Sequence, residues 1–195
     1  MQNRTYYFQL SEYVYCIPGE NPNDATLSGT NHFVIGKGPK RTMIDCGDKP
    51  EINGLFLENL RHFMQEQETS IERILVTHAI SNHFAGAYCV CKLHTELGHE
   101  EPSIHKHINN CSHEKYVFEE FEGIKERTKH LADGEKFDIS GTNFQIEALF
   151  TPGHKTDHMG YYIETEKEKI LFPGDAILGT PSTSCDDMIQ YWKDL

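Results

Sequence analysis

No apolar run in this sequence approaches the roughly 18 residues a helix needs to cross a bilayer. The opening residues, Met1-Gln2-Asn3-Arg4-Thr5-Tyr6, lack the apolar stretch of a secretory signal and are not Arg- and Ser-rich like a transit peptide. Basic residues are few: 18 Lys and Arg stand against 30 Asp and Glu, a formal net charge of -12. A surface of that sign disfavours non-specific contact with nucleic acid or anionic membrane. The densest basic stretch, Lys37–Arg41, reads as a turn. The six cysteines (Cys16, Cys46, Cys89, Cys91, Cys111, Cys185) follow no ligand or redox spacing, Cys89-Val90-Cys91 being one residue short of Cys-x-x-Cys. They are expected as free, mostly buried thiols in a reducing compartment. The expected location is therefore intracellular, in the cytoplasm or the mitochondrial matrix, and not secreted. Repeats, low-complexity tracts and linkers are also missing, so the 195 residues are expected to form one domain with a sizeable core.

What is present alternates between strand-like and helix-like patterns. Residues 6–17 carry β-rich runs, and Pro18–Gly29 is a loop rich in Gly, Pro, Asn and Asp. Asn31–Ile35 and Arg41–Asp45 read as a hairpin around Gly36-Lys37-Gly38-Pro39. Ile52, Leu55, Phe56, Leu60, Phe63 and Met64 recur at helical spacing and predict an amphipathic helix from Pro50 to about Gln67. Ile71–Thr77 is an apolar strand, followed by a helix over Ala85–Leu97. Residues 98–130 hold His99, His105, His107, His113 and His130 among charges. No ligand spacing emerges there, and the tract reads as a solvated insert with helical character from Glu114 to Lys129. Four short strands follow (Lys136–Ile139, Phe144–Phe150, Met159–Glu164, Lys169–Phe172), then a helix over Asp186–Leu195.

Three segments at strand ends carry the chemistry: Thr77-His78-Ala79-Ile80-Ser81-Asn82-His83, Thr151-Pro152-Gly153-His154, and Phe172-Pro173-Gly174-Asp175-Ala176-Ile177-Leu178-Gly179. With Ile44-Asp45-Cys46-Gly47 and Asp157-His158-Met159, in this order, they resemble the metallo-β-lactamase superfamily. That family's pattern is His-x-His-x-Asp-His, a Gly-His, a Gly-Asp and a late Gly-His. The likeness is to the β-lactamase-like protein 2 branch, described as zinc-dependent endoribonucleases acting on single-stranded RNA. It implies an α/β fold, the four-layer αββα sandwich, truncated at the C-terminus so that the last strand and a C-terminal helical domain are absent.

The resemblance places metal ligands at His78, His83, His154 and Asp175. It also exposes two departures: Ile80 stands where the family has a histidine, and Asn82 where it has an aspartate. Ile80 has no lone pair to donate, and the neutral Asn82 amide cannot accept a proton as a general base. The family's two-metal centre is therefore expected to shrink to at most one zinc ion, or none, and no catalytic residue is assigned. His32 is expected to pack in its strand, His158 to support the site or the core, and Asp45 to brace the neighbouring loops.

Three readings remain open. The first is a degenerate member of the family with little hydrolytic activity, acting as a scaffold or accessory subunit. The second is a single-metal hydrolase of phosphodiester or ester bonds using His78, His154 and Asp175. The third is an incomplete chain of an active enzyme. The first carries with it a protein partner or an oligomer covering an exposed sheet edge or apolar patch. RNA enters through the resemblance alone.

Overall fold

The structure is a computed structural model that describes residues 4–178 and 183–195. Two sheets pack face to face. The larger has seven strands in sequence order: β1 (Phe8–Gln9), β2 (Val14–Pro18), β3 (Asn31–Ile35), β4 (Lys40–Ile44), β5 (Ser70–Leu75), β6 (Ser103–Lys106) and β7 (Thr128–His130). Its first four strands are antiparallel and β4 to β7 run parallel. Parallel neighbours need crossover connections, and the helices supply them. α1 (Gly54–Glu66) joins β4 to β5. α2 (Ser81–Phe84) and α3 (Ala87–Glu96) join β5 to β6, and α4 (Ser112–Glu120) and α5 (Ile124–Arg127) join β6 to β7. The smaller sheet is antiparallel, in the order β11 (Lys169–Phe172), β10 (Met159–Glu164), β9 (Gln145–Phe150), β8 (Lys136–Asp138). A short helix, α6 (Met188–Asp194), closes the described chain.

The large sheet buries both faces. Phe56, Leu60 and Phe63 of α1, Val90 and Leu93 of α3, and Val117 of α4 pack on Val34, Met43 and Ile74 on one side. On the other, Ile35, Ile44 and Leu75 meet Ile146, Tyr161 and Phe172 of the small sheet. The outer face of the small sheet is polar: Lys136 pairs with Glu147 at 3.1 Å and Lys169 with Glu164 at 3.0 Å. Among the described residues the fourth layer of the αββα sandwich is represented by α6 alone, seated at one end of this sheet through Tyr191 Oη donating to the Ala176 carbonyl at 2.7 Å. Among the described residues, exposed apolar side chains lie on the edge strands, Phe8 of β1 and Leu171 of β11, and also around α6, where Ile177, Leu178, Met188, Ile189 and Trp192 are exposed.

The reading of 98–130 as a solvated insert is overturned. β6 and β7 extend the parallel sheet, and Ile104, Lys106, Glu114, Val117 and Ile124 are buried. The tract looked polar because its strands are short and its buried charges are paired. Its helix also breaks in two at Gly123, whose φ of 80° an L side chain rarely adopts, and Lys129 belongs to β7. The helix expected from Pro50 begins four residues later, at Gly54.

Candidate metal centre

Strand ends converge at one rim of the sandwich, as ligand sites do at the carboxyl ends of parallel strands. β5 delivers Thr77 and His78, β4 delivers Asp45, β9 leads into His154, and β11 into Asp175. The two sheets are tied at this rim, with Met159 N–H donating to Thr77 O at 2.8 Å and Tyr161 Oη to Val76 O at 2.7 Å.

Hydrogen bonds at one ring nitrogen set the tautomer of each histidine. Asp45 accepts from Thr77 N–H at 2.7 Å and from Thr77 Oγ1 at 2.9 Å, so the single hydroxyl proton of Thr77 is committed to it. Nδ1 of His83 lies 2.7 Å from Asp45 Oδ2, and a carboxylate can only accept, so Nδ1 is the donor. His78 Nδ1, 3.0 Å from Thr77 Oγ1, must likewise donate. His154 Nδ1 donates to the Ser184 carbonyl at 2.6 Å. All three imidazoles thereby turn Nε2 toward Asp175, at 3.8 Å for His78, 3.4 Å for His83 and 4.0 Å for His154.

These three Nε2 atoms are buried and have no hydrogen-bond partner. Buried polar atoms without partners are uncommon, and here they cluster. Ligand atoms of His78, His83 and Asp175 all lie within 4.8 Å of one another. Two donors about 2.0–2.1 Å from a zinc ion at a tetrahedral angle sit about 3.3 Å apart, so the spacing fits one small cation. Electrostatics agree. Burial disfavours a charged His83, but Asp45 and Asp175 outweigh it and raise its pKa to about 10. The centre thus attracts positive charge. Burial and the neighbouring histidines hold His78 neutral, and burial does the same for His154. Asp175 is resisted by burial yet held below the usual carboxylate range by His83.

The four residues named from sequence do come together, but the tightest trio is His78, His83 and Asp175. The sequence had paired His78 with His154. Ile80 is half-buried, caps α2 in an extended conformation and presents hydrocarbon; Asn82 is half-buried beside the cavity. His32 packs on Phe56 with ring centres 4.3 Å apart, outside the trio. His158 donates to or accepts from Thr151 Oγ1 at 2.8 Å, and its ring centre lies 5.4 Å from that of His78, which makes it a support of the cluster. Asp45 braces the loops as expected and, beyond that, holds His83. Sequence reasoning missed Lys106, which pairs with both Glu114 and Asp157 behind the ligand loop, and Glu114 with it; charged residues in a charged tract gave no signal of burial.

A cavity of about 360 Å³ opens beside Asp45, His83 and Asp175. Its described walls include Leu27, Phe33, Ile177 and Leu178, and no Lys or Arg.

Residues 25–192 match the family model of the Metallo-beta-lactamase superfamily. The Beta-lactamase-like protein 2 homolog of Drosophila melanogaster is 31% identical over 187 residues, which cover 96% of this chain and 60% of the fly protein. The atrochrysone carboxyl ACP thioesterase of Aspergillus fumigatus is 28% identical, over 95% of this chain and 52% of that protein. This chain therefore spans about half to 60% of the length of these curated relatives. Among solved structures, a beta-lactamase domain protein from Burkholderia ambifaria aligns with a TM-score of 0.72 at 17% identity, covering 96% of this chain and 65% of the other.

Proposed function

Because the chain belongs to the metallo-β-lactamase superfamily, a family of hydrolases, we propose that it holds a single divalent cation, zinc by its donor set, and turns over substrate weakly. The observation that carries this reading is the cluster of unpartnered, buried Nε2 atoms around Asp175. His78, His83 and Asp175 would hold the ion, with His154 within reach. Bound zinc supplies a Lewis acid and lowers the pKa of water toward neutrality. The chain's own contribution falls short of the family pattern at two positions. Ile80 removes one donor. Asn82 cannot take a proton, and the loss of a general base costs about 10²–10⁴ in rate.

The cavity supports a preference among substrates. Its described lining joins the apolar Leu27, Phe33, Ile177 and Leu178 to Thr and Ser hydroxyls and the acidic Asp45 and Asp175, with no Lys or Arg, which suits an uncharged acyl group carried as an ester or thioester better than a polyanion. The name of the fungal thioesterase points to the same bond type, whereas the endoribonuclease reading receives no support from charge. The scaffold reading is favoured by one separate observation, the exposed Ile189 and Trp192 of α6, which a protein partner would cover.

Metal analysis of protein purified without an affinity tag is expected to find close to one equivalent of zinc, lost in His78→Ala. Restoring the family residues with Ile80→His and Asn82→Asp should raise zinc-dependent hydrolysis of an aryl ester by about 10²–10⁴. Two tightly held ions in the parent protein, or no gain from the double substitution, would overturn the reading.

A further inference from the structure

Behind the ligand loop lies a trio of buried charges that the metal centre does not use directly. Lys106, at the end of β6, is 0% exposed, Glu114 of α4 is 0%, and Asp157 is 3%. The Lys106 ammonium has three protons and three acceptors: Asp157 Oδ2 at 2.7 Å, Glu114 Oε2 at 2.8 Å and the His107 carbonyl at 2.8 Å. Glu114 Oε1 accepts from Asn110 N–H at 2.8 Å. Asp157 Oδ2 also accepts from Ala79 N–H at 2.8 Å. That amide belongs to the peptide bond leaving His78. A second tie, Asn109 Nδ2 donating to Thr156 Oγ1 at 2.8 Å, fastens the same two segments.

We propose that Lys106, Glu114 and Asp157 are positioning residues of the metal centre, holding the His78–Ala79 peptide at the place from which His78 reaches the cation. Three features carry the inference. Buried ion pairs are costly to desolvate and seldom outdo well-packed apolar residues in stability, so a fully bonded trio calls for a role besides cohesion. Among the described residues its hydrogen bond to the ligand loop comes from the peptide that leaves His78. Asp157 itself lies three residues beyond His154, so one carboxylate links the loop carrying His78 to the loop carrying His154. β6 and α4 thus brace the centre from behind, and groups that hold metal ligands in place commonly change affinity by about 10–100-fold when removed.

The inference rests on the one-cation reading of the same centre, and two readouts keep the two apart. Zinc affinity is measured by competition with a chromophoric chelator, and exchange of the Ala79 amide is followed in metal-free protein. Asp157→Leu removes the acceptor at nearly constant size. It is expected to weaken zinc binding by about 10–100-fold and to speed Ala79 exchange by a similar factor. Asp157→Asn keeps an oxygen for Ala79 N–H and is expected to restore both toward the parent values. Should Asp157→Leu not fold, Lys106→Met supplies the measurement, with faster Ala79 exchange and weaker zinc binding expected once Asp157 loses its anchor. Unchanged Ala79 exchange in the folded variant overturns the proposal, as does an equal loss in Asp157→Asn and Asp157→Leu. A parent protein that takes up no zinc refutes the cation reading, while Ala79 exchange still decides this one.

Discussion

Asp45 sits in the left-handed backbone region at φ 57°, which non-glycine residues seldom occupy. Strain of this kind persists where the surroundings hold it in place, and here the return is visible. The turned backbone lets one carboxylate take Thr77 N–H, Thr77 Oγ1 and His83 Nδ1 together. Asp45→Asn would exchange the anionic partner of His83 for a neutral amide oxygen and loosen its hold on the ring. Zinc affinity should fall by about 10–100-fold, read by chelator competition, with His83 remaining in place to donate. Away from the metal centre, His105 contributes to acid sensitivity. His105 is buried on β6, edge-on to Phe137, with Nε2 3.1 Å from Ser103 Oγ. Burial, aided by Lys129, lowers its pKa to about 4. In the unfolded chain it titrates near ~6.5. Between those values the unfolded state takes up a proton that the folded state refuses, so stability present above about pH 6.5 is lost as pH falls toward 4. His105→Gln keeps a partner for Ser103 and removes this share. The variant's unfolding free energy should decline less steeply across that window, by about 1–3 kcal/mol in total, as denaturant titrations at several pH values would show.

At the scale of elements, the site depends on how closely α3 approaches the end of β4. Gly86 precedes α3, and a Cβ there would lie 2.0 Å from the Cys46 carbonyl oxygen and 2.8 Å from Asn53 Nδ2. Cys46 N–H in turn donates to His83 O at 2.9 Å, so a displaced α3 pulls on a ligand residue. Gly86→Ala should cost about 3 kcal/mol or more, which in a chain of this size lowers the thermal midpoint by about 6–12 °C. Gly54→Ala is the control: nothing lies within 4 Å of the added carbon at the start of α1, and the midpoint should hold or rise. A midpoint that falls equally in both variants would refute the close-approach account. The same logic explains why the short helix α2 matters although four residues form it: Ile80 caps it, and it sets the angle at which His83 enters the centre.

For the whole molecule, the ligand residues come from both sheets, so binding a cation clamps one sheet to the other. Whatever binds only the folded state stabilises it by mass action: about 2.7 kcal/mol at a hundredfold excess over Kd. Zinc at that excess should raise the thermal midpoint by about 5–10 °C, seen by calorimetry in parent protein and absent in His78→Ala. A shift that persists in His78→Ala would place the ion elsewhere, for example at the exposed His99, His113 or His130.

Local sequence determined the elements and the ligand types. Alternation and helical periodicity located the small sheet, the first five strands of the large one, α1 and α6 to within a few residues, because these elements bury stripes of apolar side chains and periodicity reports burial. The loop histidines and Asp175 were legible through the resemblance of their motifs to the family pattern, not through periodicity. Two things were decided only in three dimensions. Which donors form the tightest trio depends on distances between strand ends of two sheets: His78, His83 and Asp175 lie within 4.8 Å of one another, with His154 Nε2 4.0 Å from Asp175. The character of residues 98–130 depends on partners far along the chain: Lys106 and Glu114 read as solvated charges until Asp157 meets them, because a charge can be buried only when opposite charge and hydrogen bonds converge on it. Composition records which charges a chain has; only packing decides which of them lose their water.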